Sequence, residues 1–598
     1  MQNLTLLTQL KDSHAVSRWE DCCAIFKHDP KETGTDKLVA VAGLKTKIYQ
    51  YQAFGVYWQM ITSRDIGGGF LADDMGLGKT LSFLAYVVVE RQLSVLHREV
   101  TKSRAAKDGK HLQEVEQGRC PAPSKPGWIA CPCSSRSPTS RMRPQPGLRM
   151  ACVPQGLVGQ WWAQWKTHVD ITDSELAMKV VVDHPATFNN ISITITDRLS
   201  SGETAQNTTR MQAEKFRVKD GKVDDRPREY HEGYLLLTTK ETYPKFAKKF
   251  ESNGQIHDVK KRGEWKSGTR SSLVFGIAMI DECHEEYFKN KGRAQILTNL
   301  PTSNNTVRPF VWGYSGTPFS QTPRGVEGVL WAIEKHSLKT DPNFKWEKLD
   351  AICKEYDIQI KSNKRDDEAV SRILDAFKPF LIRSMIRRTA ETKWFGGCSL
   401  VKLRPHVHQD VFFKPNEAFN ALIPAFEAKF DAEREDVLEQ LQVKWDNFPD
   451  SRRSDIRPTA LGFNVICRTS WRSRLLATFP YLFRLATTDV EADRLTLTAE
   501  EVQSFKSAID KKEFNTPYGR HIKRIVEGSP KCLWLYNFIP QLLSQEDVDG
   551  NSQKLVILTN FPQVAFILKL VIKHPSDQIH ELTAYSLFRG ISPSRKTE

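Results

Sequence analysis

At 598 residues the chain is too long for one ordinary core, so about two to four domains are expected. Its apolar share of 40% and charged share of 26% are those of an ordinary soluble globular protein. Lys and Arg number 86 against 71 Asp and Glu, and the resulting +15 with a pI near 9.1 favours a polyanionic partner.

The opening "MQNLTLLTQLKDSHAV" lacks a basic segment followed by an apolar one, so no signal peptide is read there. No apolar run approaches the roughly 18 residues needed to cross a bilayer. Eleven cysteines without a disulfide rhythm fit a reducing compartment. A soluble intracellular protein is expected.

Residues 1–40 carry no clear pattern and read as an N-terminal extension. At about 48–93, 149–166, 233–243, 272–288 and 308–334, apolar runs of strand length end at polar turns, several followed by helix-like segments. This rhythm predicts a parallel α/β sheet over residues 41–340. Two stretches interrupt it, near 98–148 (Arg, Lys, Pro and Ser) and near 196–233 (polar and charged), and both read as surface insertions or flexible loops. In the first, Cys120, Cys131 and Cys133 would give three thiolates, with Cys152 a distant fourth. The spacing C-x10-C-x-C fits no standard zinc knuckle, and Cys152 falls in a predicted buried strand, so a basic loop is the preferred reading. Trp161, Trp162 and Trp165 are spaced as one side of a core helix rather than as a base-stacking platform. Residues 341–530 have helical periodicity with dense surface charge. In 531–598, "QKLVILTNFP" reads as a strand with an apolar segment behind it, the start of a second α/β unit that is incomplete.

The chemistry concentrates in two places. In "GLGKT", Gly76 and Gly78 would let backbone N–H groups close around phosphate oxygens, at the positive end of a helix starting near Lys79. Lys79 would reach the β and γ phosphates and the Thr80 hydroxyl would ligate Mg²⁺. Asp73 stands where the generic loop has its first glycine. Some 200 residues on, "IAMIDECHEEY" is an apolar strand delivering Asp281 and Glu282 at its end. One carboxylate would hold the metal and the other would orient and deprotonate the attacking water, with His284 beside them to couple the site to motion.

These residues, with the stretches around them, resemble the SWI/SNF-type ATPases of helicase superfamily 2, which translocate on double-stranded DNA. "IYQYQAFGVYW" looks like the family's adenine-sensing segment, with Gln52 as the reader. "ADDMGLGKT" is nearly the family's phosphate loop, which itself lacks the first glycine, and adds Asp74 to the nucleotide contacts. "CVPQGLVGQWWAQW" and "LLLTTKETY" are similar to two motifs that imply nucleic-acid contacts at Gln160, Thr238 and Thr239. "DECHEEYFKN" resembles the Asp-Glu-Ala-His box, departing at Cys283. "WGYSGTPFSQTP" looks like the Ser/Thr-Gly-Thr-Pro motif, which makes Ser315, Gly316 and Thr317 coupling residues. "LIRSMIRRTAE" resembles the arginine brace that follows, and "KLVILTNFPQ" and "FRGISPSRK" the opening of a second lobe.

The resemblance implies a P-loop, RecA-like α/β sheet with helices on both faces, a mostly helical middle region and the start of a second RecA-like lobe. It implies ATP and Mg²⁺ as cofactors, duplex DNA (nucleosomes among the candidates) as partner, and nuclear residence. Family members also carry a glycine-rich stretch and a Gln-x-x-x-Arg-x-x-Arg run in lobe two, and neither occurs in this sequence. An arginine finger adds roughly 10³–10⁵ in rate, so slow unaided hydrolysis is expected. A non-motor ATP-binding scaffold and a superfamily 2 RNA helicase stand as alternatives.

Overall fold

The computed structural model describes residues 13–111, 118–173, 175–183, 232–239, 255–259, 265–270, 275–284, 309–318, 323–336, 345–361, 366–394, 399–401, 410–414, 417–421, 423–449, 474–475, 477–482, 517–545, 555–559 and 562–573. They fall into two compact units, the first formed by Met1–Ile360 with Asp366–His406, the second by Lys361–Arg365 with Val407–Glu598.

The first unit is built on helix α1 (Ser13–Phe26), the paired strands β1 (Leu38–Val39) and β2 (Ile48–Tyr49), and helix α2 (Gln50–Ile66). Strand β3 (Gly68–Leu71), helix α3 (Lys79–Ala106), β4 (Leu148–Val153), helix α4 (Val158–His168), β5 (Lys179–Asp183) and β6 (Tyr234–Thr239) follow. The antiparallel pair β7 (Gln255–Val259) and β8 (Trp265–Arg270) precedes β9 (Phe275–Asp281) and β10 (Phe310–Tyr314). Helices α5 (Glu327–His336), α6 (Trp346–Lys361) and α7 (Asp367–Ser384) then lead to β11 (Met385–Ile386).

Seven strands form one sheet in the order β11-β3-β10-β9-β4-β6-β5, every pairing parallel. Strand alternation sorts its side chains into two cores. Leu71, Ala151, Leu237, Met279 and Trp312 face a cluster built with α2, α3 and α4. Phe70, Met150, Leu236, Ala278 and Val311 face a second cluster built with α5, α6 and α7. Burial on both faces is why these strands read as continuous apolar runs rather than as alternating ones. It is the doubly covered parallel sheet expected from the sequence.

Several boundaries differ from expectation. The N-terminal extension joins the first core through Trp19, Cys22 and Ile25 of α1. The first unit runs past residue 340 to His406, because α7 returns the chain to the sheet edge, where Met385 and Ile386 pair with Phe70 and Leu71. The first insertion is not a loose loop. Its opening residues end α3, and farther on Trp128, Ile129 and Met142 are buried in the core. Ile129 N–H donates to Gln92 Oε1 (2.8 Å), Ala130 N–H to Ile25 O (2.8 Å) and Ala42 N–H to Gly127 O (2.8 Å). Core groups thus satisfy a backbone that lacks regular structure of its own. The stretch 196–233 lies outside the described residues except for its last two.

The second unit packs Leu475, Phe479, Tyr518, Ile522, Phe566 and Ile567 into a separate core. Its described elements are helices, among them Ile423–Asp446, Pro530–Leu543 and Pro562–Lys573. The expected strand at 555–559 forms no strand, and Val556 and Leu558 are 77% and 89% exposed. A strand exists only through bonds to a neighbour, and none of the described residues pairs with this segment.

Candidate active site

The site is laid out by register. Leu71 at the end of β3 pairs with Tyr314 at the end of β10, which pairs with Asp281 at the end of β9. Three adjacent strands thus release three loops at the same level, the place where open α/β sheets bind ligands.

The loop after β3 is the glycine-rich one. Gly76 and Gly78 have φ of 90° and 76°, the left-handed region that a Cβ disfavours. A Cβ on Gly76 would meet no atom within 4 Å, so open space lies before the loop, whereas one on Gly78 would strike the Gln52 amide. Gly78 caps α3, whose first residue is Lys79. The Lys79 ammonium donates to the Asp73 and Asp74 carbonyls (2.9 and 3.2 Å) and lies 3.5 Å from where a Gly316 Cβ would sit. Lysine, glycine loop and helix end converge on one open cradle, an arrangement that fits a chain of phosphates.

Facing it, Asp281 Oδ2 accepts from Trp161 Nε1 (2.9 Å) and Asp281 Oδ1 from the Glu282 N–H (3.1 Å). Burial, then the Glu282 charge, pushes Asp281 up to about 6, against the Trp161 and backbone bonds and the Lys79 charge. Glu282 holds φ of 50°, unusual for a residue with a Cβ, and places a carboxylate oxygen 3.2 Å from His284 Nδ1. The same nitrogen lies 2.7 Å from Ser315 Oγ, which accepts from Thr317 N–H (3.0 Å).

The raised Asp281 has a stability signature. A carboxyl group with a higher pKa folded than unfolded binds more protons in the native state, so its contribution is lost as pH rises from about 4 through about 6. Asp281→Asn should therefore stabilise the ligand-free protein at pH 7.5 by on the order of 2–3 kcal/mol. Thermal melts should show the gap closing as pH falls below 5. Equal melting temperatures across that range would contradict the assignment.

Behind the loop sits a brace. Arg387 donates to Gly316 O (2.8 Å) and to Asp74 Oδ1 (3.0 Å), tying the loops after β3 and β10 together. Arg388 is buried, and both its Nε and its backbone N–H donate to Asp73 Oδ1 (2.9 and 3.1 Å). Asp73, in the first-glycine position, is the buried acceptor that locks the brace to the loop.

With this geometry in place, the sequence matches the SNF2-related domain over residues 51–421. The chain belongs to the SNF2-related family. Two solved structures of the Sulfolobus solfataricus SWI2/SNF2 ATPase core are similar to it. The core in complex with dsDNA has 15% identity and a TM-score of 0.29, with 79% of this chain and 67% of that one covered. The core domain has 12% identity and a TM-score of 0.29, with 76% of this chain and 62% of that one covered. The chain thus spans about two thirds of the length of these cores. No curated protein matches it.

Within this SNF2-related fold, the sequence-predicted residues divide. Lys79, Asp281, Glu282, His284, Ser315, Gly316 and Thr317 gather at one edge of the sheet, with Thr80 half-buried in the first turn of α3. Gln52 accepts from Tyr49 N–H (3.0 Å) and donates to Leu77 O (3.3 Å), so its amide supports the loop backbone. The Asp74 carboxylate is engaged by Arg387 (3.0 Å). Gln160 is exposed on α4. Thr238 and Thr239, expected to meet nucleic-acid phosphates, are instead 1% and 0% exposed. They end a strand flanked by β4 and β5, which leaves neither hydroxyl on the surface. Sequence reasoning missed the indole of Trp161 as a site residue. Its i, i+1, i+4 spacing correctly signalled burial, but nothing in the spacing shows where an N–H points.

Proposed function

We propose that the chain is the ATP-binding part of a DNA-dependent SNF2 translocase acting in chromatin remodelling or DNA repair, in the nucleus. The observation that carries this reading is the placement of Lys79, the 315–317 loop and the Asp281–Glu282 pair on the ends of three adjacent strands. In this reading Lys79 and the N–H groups around Gly76 and Gly78 bind the phosphates. Thr80 and Asp281 would hold Mg²⁺, which would supply charge neutralisation for phosphoryl transfer. Glu282 orients water and takes its proton, with His284 linking it to the 315–317 loop. Family membership and the +15 charge support duplex DNA as the partner, held mainly through its phosphates and so with little sequence preference.

Steady-state ATP hydrolysis with duplex DNA, RNA or neither tests the proposal. Duplex DNA should stimulate turnover more than RNA does, the gain should shrink with added salt, and Lys79→Ala should abolish it. ATP binding without DNA-stimulated turnover would favour a scaffold over a motor. Stronger stimulation by RNA would favour the RNA-helicase reading.

A further inference from the structure

We propose that His111, Cys120, Cys131 and Cys133 form a structural zinc site that fastens the insertion between α3 and β4 to the first unit. The Nδ1 of His111 and the three Sγ atoms all lie within 4.8 Å of one another, although 22 residues separate the first ligand from the last. His111 Nδ1 stands 3.6 Å from Cys120 Sγ and 3.5 Å from Cys131 Sγ. With Zn–S of about 2.3 Å and Zn–N of about 2.0–2.1 Å, the N···S edge of a tetrahedron comes to roughly 3.6 Å. Two edges of the four-ligand figure already have the length a single zinc ion imposes. All three cysteines are free thiols rather than disulfide partners.

The surroundings are those of a closed, structural site. Cys133 is buried and Cys120 and Cys131 are half-buried. His111 is positioned from both sides. Its backbone N–H donates to Ser103 Oγ (3.1 Å) near the end of α3, and its Nε2 points at the Glu99 carboxylate (4.0 Å). A carboxylate on the side of the non-ligating nitrogen, here at ion-pair rather than hydrogen-bond distance, is a recurring feature of zinc–histidine pairs. Lys125 Nζ in turn holds Glu99 (3.2 Å). Three thiolates and an imidazole are donors suited to zinc, while the short separations leave no room for an iron–sulfur cluster between them.

The insertion also needs such a fastening. Between α3 and β4 the only regular element described is the short 3-10 turn Pro138–Arg141. Few apolar side chains anchor it, and segments this poor in core depend on a cross-link. A zinc ion would bind the end of α3 through His111 to the strand of chain that reaches Ile25 and Gln92 through Ala130 and Ile129. The sequence reading put Cys152 in fourth place. The structure buries Cys152 in β4 instead and supplies His111.

The test is metal analysis of the full chain expressed with zinc and purified without chelator under reducing conditions. One zinc per chain is expected, lost in Cys131→Ser and His111→Ala, kept in His111→Cys and in Cys152→Ala. Cobalt exchanged into the unmutated protein should give the visible bands of a tetrahedral thiolate site, so the result does not depend on variants folding. Chelation should open proteolytic cleavage confined to residues 107–147. Absence of both zinc and a cobalt spectrum would overturn the site, as would undiminished metal in Cys131→Ser.

Discussion

Arg388→Met should lower the unfolding free energy by about 3–5 kcal/mol, a large share of the roughly 5–15 kcal/mol that holds a domain together. Arg388 is 1% exposed and Asp73 0% exposed, so neither charge has water to fall back on once its partner is gone. Methionine fills most of the vacated volume, which confines the loss mainly to the stranded carboxylate. Removing both charges in Arg388→Met with Asp73→Asn should recover much of the stability, since a buried pair replaced as a pair is often nearly neutral. Urea denaturation followed by tryptophan fluorescence measures both. A single variant within about 1 kcal/mol of the parent would mean that the brace contributes little. The same variant should weaken nucleotide binding, because Asp73 supplies one of the carbonyls that hold Lys79.

The second large effect is chemical. Glu282→Gln keeps the shape of the side chain and removes its capacity to take a proton. Turnover stimulated by DNA should drop by about 10²–10⁴, the usual contribution of a positioned general base. Affinity for a fluorescent ATP analogue should change by less than about threefold, since the role assigned to Glu282 lies in the reaction and not in ground-state binding. Equal losses in binding and turnover would instead assign Glu282 to nucleotide capture.

Much of this site was legible in the sequence because its chemistry is local. Gly76, Gly78, Lys79 and Thr80 are nearly contiguous, as are Asp281, Glu282 and His284. Apolar runs placed each group at a strand end, and a parallel sheet does the rest. What stayed hidden depends on contacts between distant segments. Trp161 lies 120 positions from the carboxylate it binds, and Arg388 lies 315 from Asp73. The zinc site, with three of its ligands weighed and set aside and His111 missed, was passed over for another reason. Their spacing follows no common knuckle, and the surrounding Pro, Ser and Arg hid the few apolar residues that anchor the segment. Thr238 and Thr239 show a further limit, since a motif names residue types but not how deeply a strand end is covered.

His284 carries one more implication. A ring nitrogen makes one good hydrogen bond at a time, yet two oxygens compete for Nδ1, one on the carboxylate of residue 282 and one on the hydroxyl of residue 315. The imidazole thus spans the carboxylate of residue 282 and the hydroxyl of residue 315, so a displacement of either side chain is felt at the other through one ring.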